Sequence, residues 1–77
     1  MKEDDFVVYL AAYMSIAASQ LPKIPNAEKL AAKPRPWAVM AIAAYDVTTR
    51  SPLRTLAQLT AEVDRVCAGI APTPPKD

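Results

Sequence analysis

The sequence contains no histidine, and it has only one glycine and one cysteine among its 77 residues. Without histidine it lacks the side chain that most often acts as a general base near neutral pH and ligates metals. A single glycine excludes the glycine-rich loops that cradle phosphates, and a single cysteine excludes a disulfide within the chain. We therefore predict a protein that is not an enzyme and that holds no cofactor and no metal.

Long hydrophobic runs and a strong net charge are also absent. The longest uncharged apolar stretches, 6–18 and 37–45, fall short of the roughly 20 residues that cross a bilayer. The net charge of +1 creates no global field for nucleic acid or membranes. The first residues are acidic where a secretory signal needs positive charge. These features predict a cytoplasmic protein, consistent with an unpaired Cys67.

Hydrophobic residues make up 52% of the chain, and eight prolines divide it into blocks of helix-favouring residues. The predicted fold class is all-α, because no β-branched run is long enough for a strand. We expect a single helical domain over 1–70 and a flexible proline-rich tail over 71–77. The small bundle has three main helices at about 3–20, 36–48 and 52–68, and a short connecting helix at about 27–33.

Local signals place the ends of these helices. Three carboxylates stand in the first turn of the first helix, where the helix dipole favours negative charge. Pro36 fits a first helical turn, and Ser51 followed by Pro52 is a typical start for the last helix. Gly69 stands where a left-handed residue ends that helix.

The helices at 3–20 and 36–48 are apolar nearly all round, whereas the last helix is amphipathic. On the last helix, Leu59 and Val63 mark the apolar face, and the polar face carries Arg54, Gln58, Glu62 and Arg65. The only weakly polar strip on the first helix consists of Asp5, Ala12, Ser15 and Ser19.

A chain of this length is too short to surround two apolar helices completely, which favours a homodimer. The alternative is a compact monomer whose small alanine faces are exposed at little cost. The predicted dimer interface consists of Phe6, Leu10, Met14, Met40, Ala41 and Ala44.

Two features could bind a protein partner. The stretch 33–37 combines prolines, which order the chain at low entropic cost, with Arg35 and Trp37, residue types enriched at binding hot spots. Its predicted contact residues also include Lys33. Tyr9 and Tyr13 lie one helical turn apart and could each bury a ring at an interface. Ordinary packing within the chain explains the tryptophan and the tyrosines equally well.

Other residues have simpler interpretations. Cys67 lies on the apolar side of the last helix and is expected to be a packed, inert thiol. Asp46 precedes Arg50 by four residues, a spacing that favours an ion pair along a helix. The proline spacings 22–25 and 72–75 are interpreted as linkers rather than as ligands for another domain.

The sequence favours a small protein-interaction module that acts stoichiometrically as an inhibitor, adaptor or accessory subunit. One alternative is a helix-turn-helix-like DNA-binding regulator, because 51–66 resembles a first helix of that unit and Arg50, Arg54 and Arg65 could contact phosphates. The missing turn and the acidic Glu62 and Asp64 count against it. A further alternative is a subunit of a larger assembly.

Overall fold

A computed structural model of the protein describes residues 2–20 and 33–75, except for the side chain of Lys2. These residues form three α-helices: α1 spans Lys2–Ala17, α2 spans Pro34–Thr48 and α3 spans Leu56–Cys67. No strand occurs within the described ranges, which confirms the all-α class for them. The predicted connecting helix at 27–33 lies outside the described residues except for Lys33, which is the N-cap of α2.

The three helices share one core. It contains Tyr9 and Ala12 from α1, Val39 and Ile42 from α2, and further side chains from all three helices. Contacts between the helices show their directions. Asp5 reaches Arg35 near the starts of α1 and α2, while Tyr13 reaches Ser51 just past the end of α2. The two helices therefore point the same way, and α3 runs back against α2.

All three helices end in the same way, with a residue in the left-handed region at the position after the C-cap. These residues are Ser19 (φ 59°), Arg50 (φ 57°) and Gly69 (φ 91°). In each case the next N–H donates to a carbonyl five residues earlier, for example from Ser51 to Asp46 at 2.8 Å. This is a Schellman motif. The prediction for Gly69 is confirmed, whereas the other two ends lack the glycine that marks such a site.

The last helix begins later than predicted. Ser51 and Pro52 precede it in non-helical chain, and Thr55 is the N-cap. The Thr55 hydroxyl accepts from the Gln58 N–H at 3.2 Å, and the Gln58 side chain accepts from the Thr55 N–H at 2.9 Å. This capping box supplies acceptors for two N–H groups that have no intrahelical partner at the start of α3.

The weakly polar strip of α1 is not a solvent-facing side. Asp5 and Ala12, from the weakly polar strip, lie in the protein interior together with Val8 and Tyr9. Val7 and Met14, which are large and apolar, point outward. Because α1 is apolar nearly all round, hydrophobicity alone does not indicate which of its sides is buried.

Candidate functional site

The stretch predicted to bind a partner, 33–37, opens α2. Lys33 is exposed and Trp37 keeps 55% of its surface exposed. Arg35, however, bonds within the chain: its Nη2 lies 2.8 Å from Asp5 Oδ2, and its Nη1 lies 2.6 Å from Asp64 Oδ1. The hydrogen bonds that Arg35 donates to Asp64 and Asp5 raise the pKa of Arg35 further above its usual range. Arg35 thus joins all three helices and is only partly available to a partner.

The two tyrosines differ in their availability. Tyr9 is fully buried, and its hydroxyl donates to Asp46 Oδ2 at 2.7 Å. The Tyr13 ring is half-buried, and its hydroxyl donates to the Ser51 carbonyl at 2.8 Å. Burial therefore removes Tyr9 from any contact surface of the folded chain, and the packing interpretation describes both rings.

The residues predicted for a dimer interface divide into two groups. Met14 and Ala41 are exposed. Four others are half-buried: Phe6, Leu10, Met40 and Ala44. The first three of these pack against the core. Val7 was not predicted, yet it is 56% exposed and lies two helical turns before Met14 (65% exposed), on the same side of α1.

These residues define an outer face on α1 that consists of Val7, Leu10, Ala11 and Met14. Its centre lies opposite the buried Tyr9 and Ala12 around the helix. On α2, Trp37, Ala41 and Ala44 likewise follow the spacing of one helical side and are exposed or half-buried. Both helices predicted to be over-hydrophobic therefore present apolar atoms to the surface.

A buried ionic network lies where α2 approaches the start of α3. Arg54 is 3% exposed and donates two hydrogen bonds of 2.7 Å to Asp46, which is fully buried. The Tyr9 hydroxyl donates to the same carboxylate and accepts from the Arg54 N–H at 3.1 Å. Among the described residues, no buried side-chain nitrogen or oxygen lacks a partner.

Burial acts to lower the pKa of Arg54, but the hydrogen bonds and charge of Asp46 outweigh it and raise the pKa. Arg54 therefore stays charged. Burial, assisted by the hydrogen bond to Asp46, raises the pKa of Tyr9 well above its usual range. Tyr9 therefore remains a neutral donor to the carboxylate.

The network continues to the C-terminal segment through Thr73. Glu62 is 4% exposed, and its two carboxylate oxygens accept from the Thr73 N–H at 2.7 Å and from the Thr73 hydroxyl at 2.9 Å. Arg54 Nη2 donates to the Thr73 carbonyl. Thr73 thus attaches the C-terminal segment to α3. The predicted mobility of 71–77 stays a prediction, but these contacts were not foreseen.

Two predictions about the polar residues are wrong. Arg54 and Glu62 were assigned to a solvent-facing side of the last helix, but both are buried, because Asp46 and residue 73 supply partners for them. Asp46 pairs with Arg54 rather than with Arg50, because its side chain points into the core. The only sequence signal was a single carboxylate near the end of a helix whose other charged residue, Arg35, lies in its first turn.

The remaining chemical candidates are few. Cys67 is exposed, contrary to the packed thiol that the sequence predicted. Within residues 2–20 and 33–75, no three acidic or cysteine side chains are grouped to hold a metal ion. None of the helices in those ranges is both long and apolar enough to span a bilayer. Arg54, one of the three arginines considered for phosphate contact, is buried and therefore cannot contact DNA in the folded chain.

No protein-family model matches the chain, and no curated protein or solved structure does so either.

Proposed function

We propose that this chain is a non-enzymatic interaction module that acts stoichiometrically on another protein and forms a homodimer through the outer face of α1. The observation that carries the proposal is the exposure of Val7 and Met14, each with more than half of its surface in water. Contiguous exposed apolar side chains are typical of protein-interaction surfaces.

The charge distribution supports the same assignment. The buried charged residues of the described ranges are Asp5, Asp46, Arg54 and Glu62, and all have partners within the chain. Such a closed network stabilises the fold and leaves no group of its own free to act on a substrate. Binding through a preformed apolar surface is the activity that the remaining features support, whether the role is inhibitor, adaptor or accessory subunit.

The homodimer is tested by light scattering or sedimentation equilibrium at micromolar concentration. We expect twice the monomer mass of 8.3 kDa, and we expect Met14→Lys to restore the monomer. Leu53→Lys is the matched control, because Leu53 is also a large exposed residue, 47% exposed, but lies outside α1. A monomeric wild-type chain, or equal effects of both substitutions, would contradict an interface on α1.

The partner is tested by affinity capture from the source lysate followed by mass spectrometry. Trp37→Ala should weaken binding of the captured protein by about 2–4 kcal/mol, the range of a hot-spot aromatic residue. Because Trp37 is 55% exposed, the variant should keep its helicity. Unchanged affinity would show that Trp37 is not part of the contact surface. If the capture recovers no protein other than this chain, the proposal of a separate partner is contradicted and only the homodimer remains.

A further inference from the structure

We infer that the groove lined by Arg54, Glu62 and Arg65, along one side of α3, is a peptide-binding site for an extended Pro-Thr-Pro sequence, and that residues 72–74 of the chain occupy it in place of a partner's segment. The inference deepens the proposed function, on which it rests, because it names the chemistry of the partner: a protein that presents such a segment and competes with the chain's own.

Recognition centres on Thr73, whose every polar group is bound by a side chain. Its N–H donates to Glu62 Oε2 at 2.7 Å, and its carbonyl accepts from Arg54 Nη2. Its hydroxyl donates to Glu62 Oε1 at 2.9 Å and accepts from Arg65 Nη1 at 3.2 Å. The first two contacts bind any extended backbone, whereas the last two require a hydroxyl.

The groove is held in place by the protein interior. Arg54 is fixed by its two hydrogen bonds to Asp46, and Glu62 lies 3.9 Å from both Arg54 Nη1 and Arg65 Nε. Donors and an acceptor that are already ordered lower the entropic cost of binding a peptide.

The flanking prolines suit this groove. Proline has no N–H, so residues 72–75 carry a single backbone donor, that of Thr73, and Glu62 accepts it. Proline also restricts the backbone before binding, as in other proline-rich ligands. A cavity of about 210 Å³ remains beside the segment, lined by Gln58, Ala61, Pro74 and other residues. This cavity has space for larger side chains that lie outside the Pro-Thr-Pro sequence in a partner's segment.

The chain's own segment is attached in a way that permits its release. Between α3 and Thr73 lie Gly69, in the left-handed region, and then Ile70 and Ala71, both exposed. The segment gains from a high effective concentration because it is tethered.

The test uses the full chain labelled with ¹⁵N and the synthetic peptide Ile-Ala-Pro-Thr-Pro-Pro, blocked at both ends, followed by NMR titration. Thr73→Val keeps the shape of the segment but removes its hydroxyl, so the peptide should bind this variant about tenfold more tightly than the wild type. The Gln58, Glu62 and Arg65 amides should shift. Thr73→Ser retains the hydroxyl and should behave as the wild type.

The ligand control is the same peptide with valine in place of threonine, which keeps the two backbone contacts and should bind Thr73→Val about tenfold more weakly than the threonine peptide does. Absence of shifts in a folded Thr73→Val chain would overturn the inference, as would equal binding of the two peptides. Should Thr73→Val not fold, Pro74→Gly loosens the segment without altering its polar contacts and is titrated in the same way. None of these readouts involves Val7 or Met14, so failure here is distinct from failure of the proposed dimer.

Discussion

The outer face of α1 and the ionic network around Arg54 reverse the usual distribution of polarity. Met14 is 65% exposed although it is apolar, whereas Arg54 is 3% exposed although it is charged. Charged side chains are seldom fully buried without a partner. Arg54 has partners from three parts of the chain, which makes its burial possible. In these two regions, whether a side chain is buried depends on the partners that the fold supplies and not on its residue type.

Substitutions in the ionic network should destabilise the protein strongly, whereas substitutions on the outer face of α1 should hardly affect its stability. Removing one member of a buried ion pair leaves the other charge without compensation in a poorly solvated site. Removing an exposed apolar side chain creates no cavity, so the free energy of unfolding should hardly change. The expected changes in the free energy of unfolding range from several kcal/mol in the ionic network to almost none on the outer face.

Arg54→Ala should lower the free energy of unfolding by about 3–5 kcal/mol, because Asp46 and Glu62 lose the cation between them. Urea denaturation followed by circular dichroism measures the loss. Arg50→Gln removes an exposed arginine and should change stability by less than about 0.5 kcal/mol. A similar small change for both variants would show that the network does not stabilise the fold.

Tyr9→Phe should cost about 1–3 kcal/mol, because Asp46 loses a buried donor and the Arg54 N–H loses its acceptor. It should also change the pH dependence. Because the pKa of Tyr9 is raised in the folded state, the unfolded state releases its proton first. The stability that Tyr9 contributes is therefore complete below about pH 10 and is lost as the pH rises further.

Urea denaturation between pH 8 and 11 measures this difference. The decline above pH 10 should be weaker in Tyr9→Phe than in the wild type. Tyr45→Phe is the control on α2, and it should keep the wild-type decline. Parallel pH profiles for the wild type and Tyr9→Phe would show that the Tyr9 hydroxyl does not couple proton release to folding.

Arg50→Gly should stabilise the protein by about 0.5–1 kcal/mol, because glycine adopts the left-handed conformation at φ 57° without the steric cost of a side chain. A thermal melt measures the gain. Arg50→Ala also removes the charge but keeps Cβ, so it should bring no such gain. Equal stabilisation by both variants would assign the effect to charge instead.

Met14→Ala should change the free energy of unfolding of the monomer by less than about 0.5 kcal/mol. Ile42→Ala, at a fully buried apolar position, should cost about 2–5 kcal/mol. Denaturation is measured at a concentration low enough to avoid self-association. A large loss for Met14→Ala would show that this side chain stabilises the fold, and the outer face would lose its interpretation as a contact surface.

Much of the fold could be predicted from local signals. The prolines in the first turn of α2, the carboxylates at the start of α1 and Gly69 after α3 each act within one helical turn, so they can be recognised in sequence. The start of α3 was predicted too early because the capping box of Thr55 and Gln58 was overlooked. The left-handed ends at Ser19 and Arg50 could not be foreseen, since neither residue is glycine.

The candidate site was less predictable. Exposure of Met14 and Trp37 agrees with the surface that the sequence indicated, but Tyr9 is fully buried and Arg35 is paired with Asp5 and Asp64. These contacts join residues about 30 positions apart. Helical periodicity gives the side of one helix on which a residue lies, and it contains no information about what another helix places opposite.

Composition and local spacing alone indicate that this protein is helical within the described ranges. They also indicate that two of its helices carry more apolar surface than they can bury. Only the tertiary structure decided which side of α1 faces the core. It also decided that Arg54 and Glu62 lie inside and that Thr73 binds to them. The physical reason is that a charge can be buried only where distant parts of the chain bring its partners together.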